Sequence, residues 1–456
     1  MLIHIAKKEI IEHIKSFRFA AAFLFILVTF FIMMFTRHFD YKTKYNDYLS
    51  RINAQEEAID KYANYNRING INTPIVPPSP LEIIVDPAIP TMLEEVLAQS
   101  LDEDPFNTVN INMDIISLVG LLGSLLALLL SYDSINREVN EGTIRLLLSS
   151  GVPRIKVILG KILGGGLAAI LPITTIFAIL SLWLAIGGQG WGIVQWMSLM
   201  GIFLVSIIYI MLFYCTGAFL SSVITDHTIS ALSCFGAWIM FVVIVPVISP
   251  YVAKAAVKIP NPVQMQRQLN HIFNVERDGA LREAILPLIA TEGITWAEAY
   301  KKVNGAEINR GFQEKANALQ QNYHRAATKQ VMVSVIISCV SPYSAYLLAV
   351  EELSCLGISR LGYLGNMVSN YRQKAHEYTT SKYEEARRLN PTHDTGDKLD
   401  LSGMPRFVYI SPGVSYSYLR ALPFILLLLA YYLAPLALYF QAYIRKKGLL
   451  RLSFVL

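Results

Sequence analysis

The residues of this chain best suited to chemistry are two carboxylates on a short polar stretch, Glu138 and Glu141. They stand one helical turn apart, so on a helix both can share a face. Around them lie Asp133, Arg137, Arg145 and Arg154, with Gly142-Thr143 as a break and recapping point and Pro153 as a turn. After the break, Ile144, Leu146, Leu147 and Leu148 make an apolar run bounded by Arg145 and Arg154. A short helix with an acidic face and an apolar face could dock in a groove on a soluble partner. The plain alternative is that Glu138 and Glu141 pair with Arg137 and Arg145 on a solvated loop, a pairing worth about 0–1 kcal/mol. Either way the chemistry is electrostatic contact, not bond making.

Catalytic patterns are missing from the rest of the chain. No GxxxxGK[ST], GxSxG or HExxH occurs, so the chain is not expected to be an enzyme or to hydrolyse ATP itself. Gly164–Gly166 is therefore not a phosphate loop. His271, His324 and His376 are scattered on polar stretches and propose no site. His393 and Asp394 with Asp397 and Asp400 could meet a hard cation, but the spacing lacks an EF-hand pattern and a solvated acidic loop is the favoured reading. The four cysteines form no CxxC pair, so no metal site is expected; a Cys339–Cys355 disulfide stays open if that segment lies outside the cytoplasm.

The elements that position the polar stretch are membrane helices. Of 456 residues, 54% are hydrophobic and only 16% charged, with a mean hydropathy of +0.42. A soluble domain is about 25% charged. The net charge of +5 sits mainly at the edges of apolar blocks, which argues for phospholipid headgroups and against nucleic acid. The predicted fold class is an all-α polytopic membrane protein with six transmembrane helices and a mostly helical extracytoplasmic domain. A span needs roughly 20 helical residues. The spans are predicted at 19–36, 113–132, three between 157 and 250 (157–186, 194–223 and 228–250), and 419–444. No ionisable side chain lies near the middle of one; Lys161 and Asp114 sit near ends, where a head can reach the interface.

Lys/Arg counts set the orientation. Basic residues precede the first span, flank the 133–156 loop and follow the sixth span at 445–456, so both termini are predicted to be cytoplasmic. Residues 1–18 carry Ile3, Ile5, Ile10, Ile11 and Ile14 among Lys7, Lys8, Glu9, Glu12 and Lys15, an amphipathic helix for the inner membrane surface. Two extracytoplasmic segments are predicted, 37–112 and 251–418, the second holding an interfacial helix near 331–350 that is too short to cross. Gly160 and Gly164 place small residues four apart at the start of the third span, which permits close helix packing, although loose backbone at a span boundary is equally open.

The stretch from Ser131 to Arg154, with Glu138, Glu141-Gly142-Thr143, Arg145, Leu147-Leu148 and Pro153-Arg154, followed by Gly160-Lys161, resembles the type 2 ABC exporter permeases. The likeness is close over about 50 residues, and the six-span plan extends it across the membrane part. The amphipathic start looks like that family's elbow helix, and the long insertions resemble a subgroup with long loops after the first and fifth spans. The resemblance implies that 133–156 is the coupling loop that receives the motion of separate ATPase subunits. It implies two such ATPases binding ATP and Mg, a second permease copy or homologue, and no cofactor in this chain. An apolar or amphipathic cargo follows from the absence of charge in the spans. The size of the outer part supports a second expectation, ATP-driven action on an extracytoplasmic partner.

Overall fold

Long apolar runs satisfy their backbone groups internally by forming helices, and that is what the computed structural model contains. It describes residues 2–62, 64–65, 68–86, 114–142, 153–187, 191–259, 261–390, 397–401 and 403–445. The chain is all-α, and its only strand-like feature among the described residues is an isolated Asn64–Lys398 bridge. Six helical stretches are long and apolar enough to cross a membrane: Phe17–Tyr62, Ile115–Asn140, Ile155–Ile186, Ile193–Val223, His227–Ala256 and Val414–Ala442. It is a multi-pass membrane protein.

In chain order the main elements are α1 (Leu2–Ile14), α2 (Phe17–Tyr62), α3 (Ile115–Leu118), a π turn (Val119–Gly123), α4 (Ser124–Ser131), α5 (Asn136–Asn140), α6 (Arg154–Gly187), α7 (Ile193–Val223), α8 (His227–Trp238), a second π turn (Ile239–Ile244) and α9 (Val245–Ala256), with short single turns at Ile68–Ile71 and Pro80–Ile83 between α2 and α3. Then come α10 (Pro262–His271), a third π turn (Ile272–Arg277), α11 (Asp278–Glu292), α12 (Trp296–Lys302), α13 (Gly305–Ser338), α14 (Pro342–Leu353), α15 (Ser359–Leu389) and α16 (Val414–Arg445). They form two compact units. The described residues of Met1–Pro90, Ile111–Ile244 and Ser341–Leu456 make the first, and those of Val245–Val340 the second.

At the centre of the first unit is α7, packed against α4, α6, α14 and α16. Its Tyr209 is fully buried and stacks on Tyr346 of α14, with centroids 4.4 Å apart. An added Cβ at Gly120 would lie 2.6 Å from the Tyr343 ring, so the glycine is what admits α14 to the bundle. The segment near 331–350, expected to be one interfacial helix, falls across this division. Ser341 caps a new helix by accepting the Ser344 N–H at 3.1 Å. Residues before it belong to α13 in the second unit, and α14 after it is buried in the first. The expected 251–418 segment likewise contributes residues to both units. Apolar side chains of α15, such as Tyr378 and Tyr383, pack with Ile59, Ile68 and Leu399 in a small core belonging to the first unit.

The first span and the polar run after it are one helix, α2, of 46 residues. At 1.5 Å per residue it extends about 69 Å. Where the apolar part ends, the buried Arg37 guanidinium donates to Glu82 O at 2.8 Å and Asp86 Oδ1 at 3.0 Å. Asp114 caps α3 by accepting the Ser117 N–H at 2.6 Å, and it accepts the Asp86 N–H at 2.7 Å. Its carboxylate is only 4% exposed, so it is a buried cap and not a head reaching an interface. The second unit is a helical assembly of α9 to α13 around Met265, Leu269, Ile272, Ala316 and Tyr323.

Candidate coupling site

At the opposite end of the first unit α1, α2, α4, α5, α6, α7 and α8 come together. Chain leaving α4 turns at Tyr132–Ile135, and the buried Ile135 and Asn136 fix that turn, their N–H groups donating to Ser221 Oγ of α7 at 3.1 and 3.3 Å. Ser230 Oγ of α8 donates to Tyr132 O at 2.8 Å, and Asn140 Nδ2 meets His227 Nε2 at 3.0 Å. The loop is thus tied to the junction of α7 and α8. Asp133 faces Arg18 of α2, whose Nη1 lies 3.4 Å from Asp133 Oδ2 and 2.7 Å from the Tyr132 hydroxyl.

Two carboxylates expected on one face point apart. The helix α5 has only five residues, and Glu141 is already its C-terminal cap. Glu138 turns inward, its side chain 16% exposed, and meets Lys161 Nζ at 2.9 Å. Glu141 turns outward at 52% exposed and accepts from Arg137 Nε at 3.0 Å. The Arg137–Glu141 pairing named as the plain alternative is therefore present, but Glu138 is engaged elsewhere.

Lys161 binds the region together. It lies about two turns into α6, only 3% exposed, and its Nζ donates to Glu9 Oε1 of α1 at 2.6 Å as well as meeting Glu138. The expectation that its head reaches the interface is corrected: the buried Glu9 and the half-buried Glu138 hold it inside. The helix α1 can come this near because Gly160 and Gly164 flank the lysine. An added Cβ would lie 2.7 Å from Ile5 Cγ2 at Gly160 and 2.6 Å from Ala6 O at Gly164. Next to Glu9, the His13 ring is 3.7 Å away, and burial holds its pKa below the ordinary 6.5 against the pull of Glu9. A second link runs from Arg137 Nη2 to Glu12 Oε1 at 3.9 Å.

Of the other predicted residues, Gly142 has φ +74, the left-handed region that favours glycine, and ends α5 there. Pro153 is exposed just ahead of α6, and Arg154 is its first residue. Thr143 and Arg145, with the apolar run beside them, lie outside the described residues, as do His393 and Asp394. The sequence reading missed Glu9 and Lys161 as partners, together with Ser221 and His227. A charged residue inside a span was the available signal for Lys161, since such residues are expensive unless paired. Among the described residues no group of His, Cys, Asp and Glu could hold a metal.

Chemically, the arrangement offers an exposed Arg137–Glu141 pair on the surface and a buried three-residue ionic link behind it. Lys161 thus links α5 with α1 and α6. No curated protein matched the sequence. Residues 3–447, nearly the whole chain, match the family described as ABC-2 family transporter protein, and the chain belongs to that family.

Proposed function

We propose that this chain is the permease subunit of an ATP-driven ABC transporter, receiving motion from two separate ATPase subunits at the loop after α4. Membership of the ABC-2 family supports an association with ABC ATPases. The observation that carries the coupling role is the buried Lys161, which joins Glu138 behind the exposed face to Glu9 of α1. A push on α5 reaches two membrane-associated helices through one ammonium group. Glu141, Arg137 and Gly142, with Thr143, Arg145, Pro153 and Arg154 further along, form the docking segment in this reading. ATP and Mg are held by the ATPases and none by this chain. A second copy or homologue completes the pathway, with this end and both termini in the cytoplasm of a cell that carries the protein in its inner or cytoplasmic membrane. Spans free of charge near their middles suit an apolar or amphipathic cargo.

A second reading is favoured by one specific observation. The helix α2 continues without a break from the first span to Tyr62, where its Ile59 enters a core shared with α15. Such a rod would carry motion outward to act on an extracytoplasmic partner without moving cargo. Reconstitution with the ATPase separates the two: cargo movement in vesicles containing no outer partner supports transport, whereas ATPase activity that depends on an added outer protein and moves no cargo supports the second reading.

A further inference from the structure

The second unit carries a sharp division of charge. No acidic residue occurs between Val245 and Val275 or between Ala316 and Val340, while Lys254, Lys258, Arg267, Arg325 and Lys329 fall within those stretches. Within Val245–Val340 the acidic residues all lie between them. The two stretches meet in space, because α9 packs against α13 and Gln330 Nε2 donates to Val257 O at 2.7 Å. That bond sets the level of one chain against the other. Lys258 is then adjacent to it in sequence on one side, and Lys329 on the other.

Along α13, Arg325, Lys329, Met332 and Ile336 follow one another at spacings of four, three and four, which places them on a single helical stripe. All four are exposed, Met332 to 58% and Ile336 to 70%. The stripe thus changes from cationic to apolar between Lys329 and Met332, about 4.5 Å along the axis. Along α9 and just past its end the order is the same: exposed Tyr251 and Val252 on the helix are followed by exposed Lys258, two residues beyond Ala256. Exposed methionine, isoleucine and valine next to tyrosine and then lysine is the order of hydrocarbon, interface and headgroup layers.

We propose that Lys258, Arg325 and Lys329 form a binding site for the phosphate of an anionic phospholipid headgroup, with Met332 and Ile336 lying against the acyl chains. The lipid, and not a free phosphate, is the occupant because the cations continue directly into an exposed apolar face that an inorganic ion would leave bare. Neither stretch carries a carboxylate of its own, and each cation near a charged surface adds about 1 kcal/mol of attraction. The site is independent of ATP coupling and asks only that this end of the hairpin reach the bilayer.

The test is native mass spectrometry of the full-length chain in mild detergent with added phosphatidylglycerol or phosphatidylcholine. The wild type should retain phosphatidylglycerol in preference, and the triple change Lys258→Gln, Arg325→Gln, Lys329→Gln should lower that retention by about tenfold or more. A charge-keeping variant, Lys258→Arg with Lys329→Arg, should retain it, which separates loss of charge from loss of fold. Equal retention of the two lipids by the wild type would overturn the proposal. So would unchanged retention in the triple variant, or displacement of the lipid by millimolar inorganic phosphate.

Discussion

At the scale of single residues, the structure turns on Lys161. An ammonium group 3% exposed is tolerable only because Glu9 and Glu138 both reach it, and removing one partner from a buried ionic group costs about 3–5 kcal/mol. Lys161→Met should therefore destabilise the detergent-solubilised protein by about 3 kcal/mol, leaving two carboxylates without their cation. Glu9→Gln, which leaves Lys161 with Glu138, should cost less, about 1–2 kcal/mol. Thermal unfolding of the two variants checks the order; a larger loss for Glu9→Gln contradicts it. His13 supplies a pH dependence in the same place. Its folded pKa lies below 6.5 because it is buried, so its contribution to the docking of α1 is present above pH 6.5 and is lost as the pH falls through the lower folded value. Proteolysis of the N-terminus should accelerate on acidification in the wild type, and the acceleration should be smaller in His13→Gln. The sequence identified Glu138 and Glu141 as notable but not their division of labour, because Lys161 and Glu9 are 152 positions apart and no local spacing relates them. What was legible was the polarity of the loop and its break at Gly142, both local properties.

At the scale of elements, the determining contact is α1 on α6. Two glycines flanking Lys161 let the backbone of α1 approach, and at Gly164 the obstacle to a side chain is the Ala6 carbonyl, which cannot move without the helix. Gly164→Leu should displace α1 while the span itself still inserts. Labelling of a cysteine placed at Ala6 should become fast in that variant and remain slow in the parent; slow labelling in both would show that α1 docks without the glycine. The amphipathic character of α1 and the spans themselves were readable from periodicity and hydropathy. The fate of 331–350 was not. Its division between α13 and α14 depends on whether Tyr343 and Tyr346 find Gly120 and Tyr209, and those partners come from α7 and the π turn ahead of α4. The same non-local cause assigned α15 to the first unit.

At the scale of the whole molecule, one continuous helix, α2, runs from the region of Arg18 and Asp133 to the core around Ile59 and Ile68. A proline in its polar part, at Asn46, would remove a backbone donor and kink the rod at a cost of about 3 kcal/mol. If the outer part acts on a partner, Asn46→Pro should leave ATP hydrolysis by the assembled complex intact and abolish its outer effect. Retention of that effect would show that α2 does not transmit it. The cargo was not legible at any level, because neither the spans nor the described outer residues carry a motif that identifies one.

Coupling to an ATPase through the loop after α4 is open to a direct check by copurification. A tagged full-length chain would be purified from its native membrane in gentle detergent, beside Glu141→Lys, which reverses an exposed charge. The account predicts a Walker-A ATPase in about equal amount with the wild type, and its loss with the variant while insertion into the membrane is unchanged. An ATPase retained undiminished by Glu141→Lys would contradict the role given to that residue, and absence of any ATPase from the wild type under mild conditions would contradict the coupling itself.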